Sequence, residues 1–377
     1  MSWRNGIHAH LTSGVAVRRC AGGVTTPSLT GGDLLWWNFL PTFWAERLGF
    51  LSMKFQENIA LSQFSNYRIG GPAKFFFEAK DADEIAEAIG IARKRGLDFF
   101  ILGGGTNLLI KDSGFDGLVL KPNLNFLEAD GEIVRAGAGV LMSDFLEFAI
   151  KKGLSGLEWA GGLPGTLGGA IRGNAGAFNG EIKDAVSEVL SFDAKNMEYV
   201  TRKNSDCRFA YRSSVFKEKN GEEIILSAVL SLKSGDPRKI AEVVKEKINY
   251  RLARHPMEHP NIGSIFKNVS VAQINADITQ INADTIRVHP RSNPRKSAFT
   301  APVKIDPFPV VPAAYLISEA GLKGVSSGGA MVSPKHPNFI VNMLGATAED
   351  VKSLIELVKS EVKRRFDVSL EEEIMQV

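Results

Sequence analysis

The chain has 377 residues, 44% of them hydrophobic and 23% charged, which places it among globular proteins with room for two or three domains and excludes a disordered or fibrous chain. A net charge of +3 suits anionic small molecules but lacks the clustered basic stripes of a nucleic-acid binder. Two cysteines, Cys20 and Cys207, are too few for a disulfide framework or a metal cage and fit a reducing compartment, the cytoplasm.

Residues 1–52 differ in composition from the rest and are expected to be a poorly ordered N-terminal extension, with Met53 as an alternative start of translation. Their apolar run, Leu34 to Leu40, is bracketed by Asp33 and Pro41 and falls far short of the ~20 residues of a membrane span, so no membrane partner is expected. Ala73 to Ala79 reads as a Phe-rich strand. Asp81 then opens a helix with Ile85, Ala88, Ile89 and Ala92 on one face and Gly96 as its stop. Phe99 to Leu102 is a second strand, running into Gly103-Gly104-Gly105-Thr106-Asn107. Ser143 is expected to cap a helix carrying Phe145, Leu146, Ala149 and Ile150, which Gly153 ends. After a glycine-rich stretch, Gly156 to Gly180, strands alternate through Leu232, and Ile240, Val243, Val244 and Ile248 mark a helix after Pro237. Pro312 to Ala320 and Thr347 to Phe366 read as helices, the second with Thr347-x-x-Asp350 at its start. Between them Gln273-Ile-Asn-Ala-Asp277 recurs as Gln280-Ile-Asn-Ala-Asp284. Two copies are too few for a solenoid, so residues 270–309 are expected to be an insertion with a short turn of helix or strand and an extended loop.

Gly103 to Asn107 leaves a buried strand, and glycines there let backbone N–H groups converge on an anion. A phosphate cradle and a plain tight turn both remain open on this evidence. The pattern is neither G-x-G-x-x-G nor a P-loop, which argues against Rossmann and kinase readings. In Gly156 to Gly180 glycines alternate with single Leu, Ile and Phe residues. That suggests backbone packed on a large flat ligand more than a flexible linker. Arg68 offers a guanidinium beside Gly70-Gly71, suited to a diphosphate or a flavin oxygen.

Seven ordered motifs then carry a specific resemblance: Tyr67-Arg-Ile-Gly-Gly71, Gly103-Gly-Gly-Thr-Asn-Leu-Leu109, Gly162-Leu-Pro-Gly-Thr-Leu-Gly-Gly169, Asn174-Ala-Gly-Ala177, Tyr211-Arg-Ser-Ser214, Gly263-Ser-Ile-Phe-Lys-Asn268 and Ala320-Gly-Leu-Lys-Gly324. Together the chain resembles the UDP-N-acetylenolpyruvoylglucosamine reductase family, over about Asn66 to Ile374. The resemblance implies an α/β (α+β) fold, a vanillyl-alcohol-oxidase/PCMH-type FAD-binding fold of two subdomains plus a C-terminal substrate-binding domain. The expected limits are 53–119 and 120–235 for the FAD-binding subdomains and 236–377 for the substrate domain, with insertion 270–309 and an active-site tail, 367–377. It further implies FAD, NADPH as reductant, UDP-N-acetylglucosamine enolpyruvate as substrate, and a cytoplasmic monomer or weak oligomer without nucleic-acid or membrane partners.

Carried onto this chain, the family's flavin contacts fall on Arg68, Gly103, Gly104, Gly105, Thr106, Asn107, Leu108, Gly162, Leu163, Pro164, Gly165, Gly169, Asn174, Gly176 and Ala177. Arg212 matches the active-site arginine, Ser264 the proton donor, and Tyr211, Lys267 and Asn268 the substrate contacts, Asn268 for a diphosphate. Glu373 matches the terminal carboxylate of a Leu-Glu-Pro-Glu-Val ending in which Glu372 here replaces the proline. Glu371 is therefore an alternative, and a tail ending at Val377 leaves less backbone to anchor either acid.

A hydrolase built on Ser264 fails because Gly263-Ser264-Ile265 lacks the G-x-S-x-G elbow, and Pro256 and Pro260 keep His255 and His259 off one helical face. Those histidines read as loop residues, with a place near phosphates as the alternative, and the segment Arg254-His-Pro is a candidate source of a substrate cation. No metal site is expected, since neither H-E-x-x-H nor a nearby cysteine occurs. The rivals are another FAD-linked oxidase or dehydrogenase of the same fold and an inactive flavin-binding module. The first lacks a residue clearly placed for covalent flavin attachment, and the second would not retain Arg212, Ser264 and Glu373.

Overall fold

In this computed structural model the described residues are 53–274, 276–282, 284–290, 298–305 and 308–377; the N-terminal extension, 1–52, lies outside them. The Phe-rich strand Pro72–Ala79 is apolar on both faces, with Phe75, Phe77 and Ala79 in one hydrophobic cluster and Ala73 and Phe76 in another. It pairs antiparallel with Gln56–Ala60 and parallel with Phe115–Pro122, whose other edge holds Phe99–Ile101. The helix Ala82–Lys94 buries Ile85, Ala88, Ile89 and Ala92, starts at Asp81 through a 2.8 Å bond from the Glu84 amide, and ends at Arg95 before left-handed Gly96.

A second sheet has five antiparallel strands in the order Glu198–Lys203, Val186–Asp193, Glu223–Ser231, Ile133–Gly137 and Leu127–Asp130. Helix Met142–Lys152 packs on it through Met142, Phe145, Leu146 and Ala149 and stops at left-handed Gly153. Its N-cap is Leu141, not Ser143. The Ser143 hydroxyl turns to Asp144 Oδ1 at 3.0 Å, so Met142 already lies inside the helix. The following helix, Pro237–Arg254, buries only Ile240 and Val244, in the same core as Leu154, Trp159 and Leu232; Val243 and Ile248 remain more than a third exposed. The apolar stripe of this helix is thus narrower than its spacing suggests, since only the i, i+4 pair Ile240 and Val244 reaches the core.

The C-terminal part gathers around the helix Ala348–Phe366, whose Val351, Leu354, Ile355, Val358 and Val362 are buried. Its capping box is closed both ways: Thr347 Oγ1 accepts from the Asp350 amide at 3.1 Å and Asp350 Oδ2 from the Thr347 amide at 3.0 Å. The seven-residue repeat falls at the two ends of one strand, Ala276–Asn282, which pairs with Thr285–Pro290 in a hairpin. Where an extended loop is expected, Phe299–Pro302 adds a third strand. Alternate residues Ile286 and Val288, with Ala301 opposite, bury into the C-terminal core and hold this sheet down. Val269–Ser270 pairs with Val310–Val311, closing the insertion at its base.

The Tyr67-Arg-Ile-Gly-Gly71 motif is a clasp between the first subdomain and the C-terminal part. Buried Tyr67 donates its hydroxyl to the Ile340 carbonyl at 2.8 Å, and Asn342 Nδ2 donates to the Tyr67 carbonyl at 3.0 Å.

Candidate active site

Two glycine loops meet where the subdomains touch. A Cβ on Gly104 would lie 2.6 Å from Gly165 Cα, so only glycine lets the loop after strand Phe99–Ile101 approach the loop before helix Leu167–Arg172. Beside this contact runs a cleft of about 330 Å³ lined by Gly103 through Leu108, Gly162 through Gly165, Gly169, Gly176 and Ala177. Cavities of about 570 and 510 Å³ adjoin it and share Gly103 and Thr166 with it, so the open space extends well beyond one small-molecule pocket. A Cβ on Gly169 would meet only Thr166 Oγ1 at 3.5 Å, and one on Gly173 only the Gly169 carbonyl at 3.6 Å. Side chains there would occupy the cleft. The missing side chains leave a backbone-walled trough of the form an extended dinucleotide such as FAD requires.

The chemistry-bearing side chains enter from three remote segments. The tail residue Glu373 donates its amide to the Ile265 carbonyl at 2.8 Å, Lys267 donates its amide to the Glu371 carbonyl at 2.9 Å, and Phe266 bridges to Glu372. This antiparallel pairing sets Glu373 next to Ser264 on the cleft wall. Beyond it the tail changes partners: Met375–Gln376 pairs parallel with Leu108–Leu109, and the Lys111 amide donates to the Val377 carbonyl at 2.8 Å. The tail is therefore anchored on both sides, correcting the expectation that a short ending leaves Glu373 loosely held.

Arg212 Nε donates to Glu373 Oε1 at 2.7 Å and Nη2 to the Gly176 carbonyl at 2.9 Å. Its backbone is left-handed, with φ at 55°, and Lys217 Nζ holds its carbonyl at 2.9 Å. Burial works against the Arg212 charge, but Glu373, Tyr211 and Glu181 outweigh it and hold the guanidinium above its usual pKa. The three tail acids are divided among separate cations: Glu371 to Lys267, Glu372 to Lys359 and Glu373 to Arg212. Only Glu373 of the three lines the cleft.

Not every expected residue sits there. Arg68 is exposed in a left-handed turn and lines a neighbouring polar cavity with Ser62, His259 and Pro260, while its motif serves the clasp. Asn174 is fully buried; its Nδ2 donates to the Ala210 carbonyl at 3.0 Å and its Oδ1 accepts from the Lys183 amide at 3.3 Å, which fixes the loop before Arg212. Tyr211, Lys267 and Asn268 lie beside the cleft rather than on its wall: Asn268 Oδ1 takes the Ala313 amide at 3.2 Å, and Tyr211 sits against Asn268. Arg254 points away, its guanidinium 4.3 Å from the Tyr250 ring centroid.

Four titratable side chains of the cleft are not among the site residues assigned from the sequence. Arg172, Lys217 and Arg251 add positive charge, and burial lowers the pKa of each. His255 is the fourth; burial first, then His336, Arg251 and Lys335, push it down to about 4, so it is neutral near pH 7. The one available signal for Arg172 was a cation inside the glycine-rich stretch. Among the described residues no group of three His, Cys, Asp or Glu can hold a metal, and no helix is long and apolar enough to cross a membrane.

Residues 73–197 match the family model of an FAD binding domain, so the fold and cleft define a flavoprotein of the PCMH type with a separate C-terminal domain. Residues 255–377 match the model of the C-terminal domain of UDP-N-acetylenolpyruvoylglucosamine reductase. The enzyme of that name from Carboxydothermus hydrogenoformans is 37% identical over 317 residues, covering 83% of this chain and 91% of that protein. The one from Clostridium tetani is 33% identical over 331 residues, covering 88% and 94%. The crystal structure of UDP-N-acetylenolpyruvylglucosamine reductase from Thermus caldophilus superposes with a TM-score of 0.64 at 27% identity, over 86% of this chain and 99% of that one. The chain belongs to the UDP-N-acetylenolpyruvoylglucosamine reductase family.

Proposed function

We propose that Arg212, Ser264 and Glu373 carry out, in this chain, the reaction of its family. The chain is an FAD-dependent oxidoreductase that uses NADPH to reduce UDP-N-acetylglucosamine enolpyruvate to UDP-N-acetylmuramate, a peptidoglycan precursor. FAD held by the glycine loops would supply hydride, from its N5, to C3 of the enolpyruvyl group. Negative charge then builds on C2 and its carboxylate, and the chain's task is to stabilise that charge and deliver a proton. Arg212, with Lys217 and Arg172 on the same wall, supplies the positive field. Ser264 Oγ gives its proton to C2; a hydroxyl is a weak acid, and these cations make its deprotonation less costly. Glu373 orients Arg212 through the 2.7 Å contact and leaves the remaining guanidinium donors for the substrate. The single observation that carries this reading is the pairing of Glu373 with Ile265, which assembles three residues remote in sequence on one wall.

Tyr211, Lys267 and Asn268 are assigned to the outer, diphosphate end of the substrate, and the glycine loops to FAD. The first FAD-binding subdomain is assigned 53–119; helix Pro237–Arg254 packs through Ile240 and Val244 into the core of the second, so the expected limit at 235 moves to 254 and the substrate domain is 255–377. The enzyme works in the cytoplasm without nucleic-acid partners, as a monomer or weak oligomer; sedimentation of the holoenzyme tests the oligomeric state. Ser264→Ala is expected to leave flavin reduction by NADPH nearly intact and to slow reoxidation by the enolpyruvyl substrate by about 10²-fold. Equal slowing of both half-reactions would make Ser264 structural. A wild-type protein whose NADPH oxidation ignores that substrate would overturn the reading as a whole.

A further inference from the structure

The insertion between residues 270 and 309 has no part in the assignment above, yet its base reaches the loop that carries Arg212. Val269–Ser270 and Val310–Val311 zip the two ends together, and Lys304 and Val310 exchange backbone hydrogen bonds of 2.9 and 2.8 Å. Phe308 is therefore placed by the anchored base of the excursion. Its ring meets that of Tyr211 edge to face, with centroids 5.1 Å apart and planes at 82°. On the same Tyr211 ring rests the Arg212 guanidinium, 5.1 Å from the centroid. Asn268, at the start of the insertion, lies against the Tyr211 phenol and is itself fixed by the 3.2 Å bond from the Ala313 amide.

The order of contacts is Phe308, Tyr211, Arg212, Glu373. The left-handed backbone at Arg212 is intrinsically unfavourable and persists only where surrounding contacts over-determine it. Glu373 and Gly176 hold the guanidinium, and Lys217 holds the carbonyl. The Tyr211 ring, directly before this residue, has the insertion base as its aromatic neighbour.

We infer that Phe308 is a positioning residue: it holds Tyr211 and thereby Arg212 in register with the substrate, so that the insertion takes part in assembling the active site. This rests on the proposed role of Arg212. An edge-to-face pair is worth about 0.5–1.5 kcal/mol, so Phe308→Ala is expected to slow reoxidation of reduced enzyme by UDP-N-acetylglucosamine enolpyruvate about three- to tenfold, in kcat more than in KM. FAD content and the rate of flavin reduction by NADPH should stay within twofold of wild type. Phe308→Tyr, which keeps the ring edge, should restore the rate, and combining Phe308→Ala with Tyr211→Leu should cost no more than Tyr211→Leu alone. Unchanged reoxidation in Phe308→Ala, equal slowing of both half-reactions, or additive losses in the double variant would each overturn the inference. Should Phe308→Ala fail to fold, Phe308→Leu is read by the same criteria. Wild-type enzyme indifferent to the substrate would instead overturn the proposed function, so the two failures are told apart.

Discussion

Two arginine–glutamate pairs in this molecule have similar chemistry and opposite surroundings. In the second subdomain Glu223 is fully buried and saturated: Arg202 donates to both of its oxygens at 2.6 and 2.9 Å, Ser191 adds a bond of 2.7 Å, and Lys219 completes the shell. Across the cleft, Arg212 meets Glu373 through one nitrogen, both side chains are about one-fifth exposed, and Glu373 Oε2 has no hydrogen-bond partner among the described residues. A carboxylate whose lone pairs are all taken can only hold the fold together. One left with a free oxygen at the wall of a cavity still has bonds to offer a ligand.

Opening the saturated pair has the largest expected effect. Glu223→Ala takes the shared carboxylate from two partly buried cations, Arg202 and Lys219, and the expected cost is about 3 kcal/mol of stability in urea unfolding of the holoenzyme. Activity at low temperature should persist. Glu373→Gln should do the reverse: unfolding midpoints near wild type, and a loss of about 10²–10³-fold in reoxidation of reduced flavin by substrate. If Glu373→Gln were the more destabilising of the two, the division between structural and functional pairs would be wrong.

Acid titration gives the smallest and most specific contrast. Burial pushes the Glu223 carboxyl up, but Arg202, Lys219 and Ser191 together bring it down from the ordinary 4.5 to about 2. Its folded pKa lies below the unfolded one, so its contribution is fully present above pH 4.5 and is lost as pH falls toward 2. Urea midpoints measured across that window should fall in wild type and fall less in Glu223→Gln.

What could be read beforehand was whatever local spacing determines. Asp81 and Thr347 as caps, Gly153 as a stop, and the glycine loops all express preferences of a few consecutive residues, and the structure places them so. The Ser143 cap failed because tertiary packing of Met142 extended the helix by a residue. Motif identity also misled where a motif does two jobs: Arg68 travels with Tyr67, but the clasp is what that segment builds, through Tyr67 and Asn342. Lys217 carries no local signature, Arg172 only its place within the glycine-rich stretch, and His255 only its place in a proline-flanked loop. They become cleft residues only because helix Leu167–Arg172, the turn after Arg212 and the end of helix Pro237–Arg254 converge, which is a property of topology rather than of spacing. The recurring Gln-Ile-Asn-Ala-Asp is conspicuous as text, yet its two copies straddle a single strand, Ala276–Asn282, and do not form two structural units.

The tail that carries Glu373 is shared between two bodies. Residues Glu371 to Glu373 belong by hydrogen bonding to the C-terminal part, and residues Met375 to Val377 to the first subdomain. A movement that parts these bodies must peel one half of the tail from its support, and the acid lies at the crossover. Readiness for proton transfer and apposition of the domains are thereby the same mechanical state, so an enzyme caught open would be silent even with its cofactor and substrate in hand.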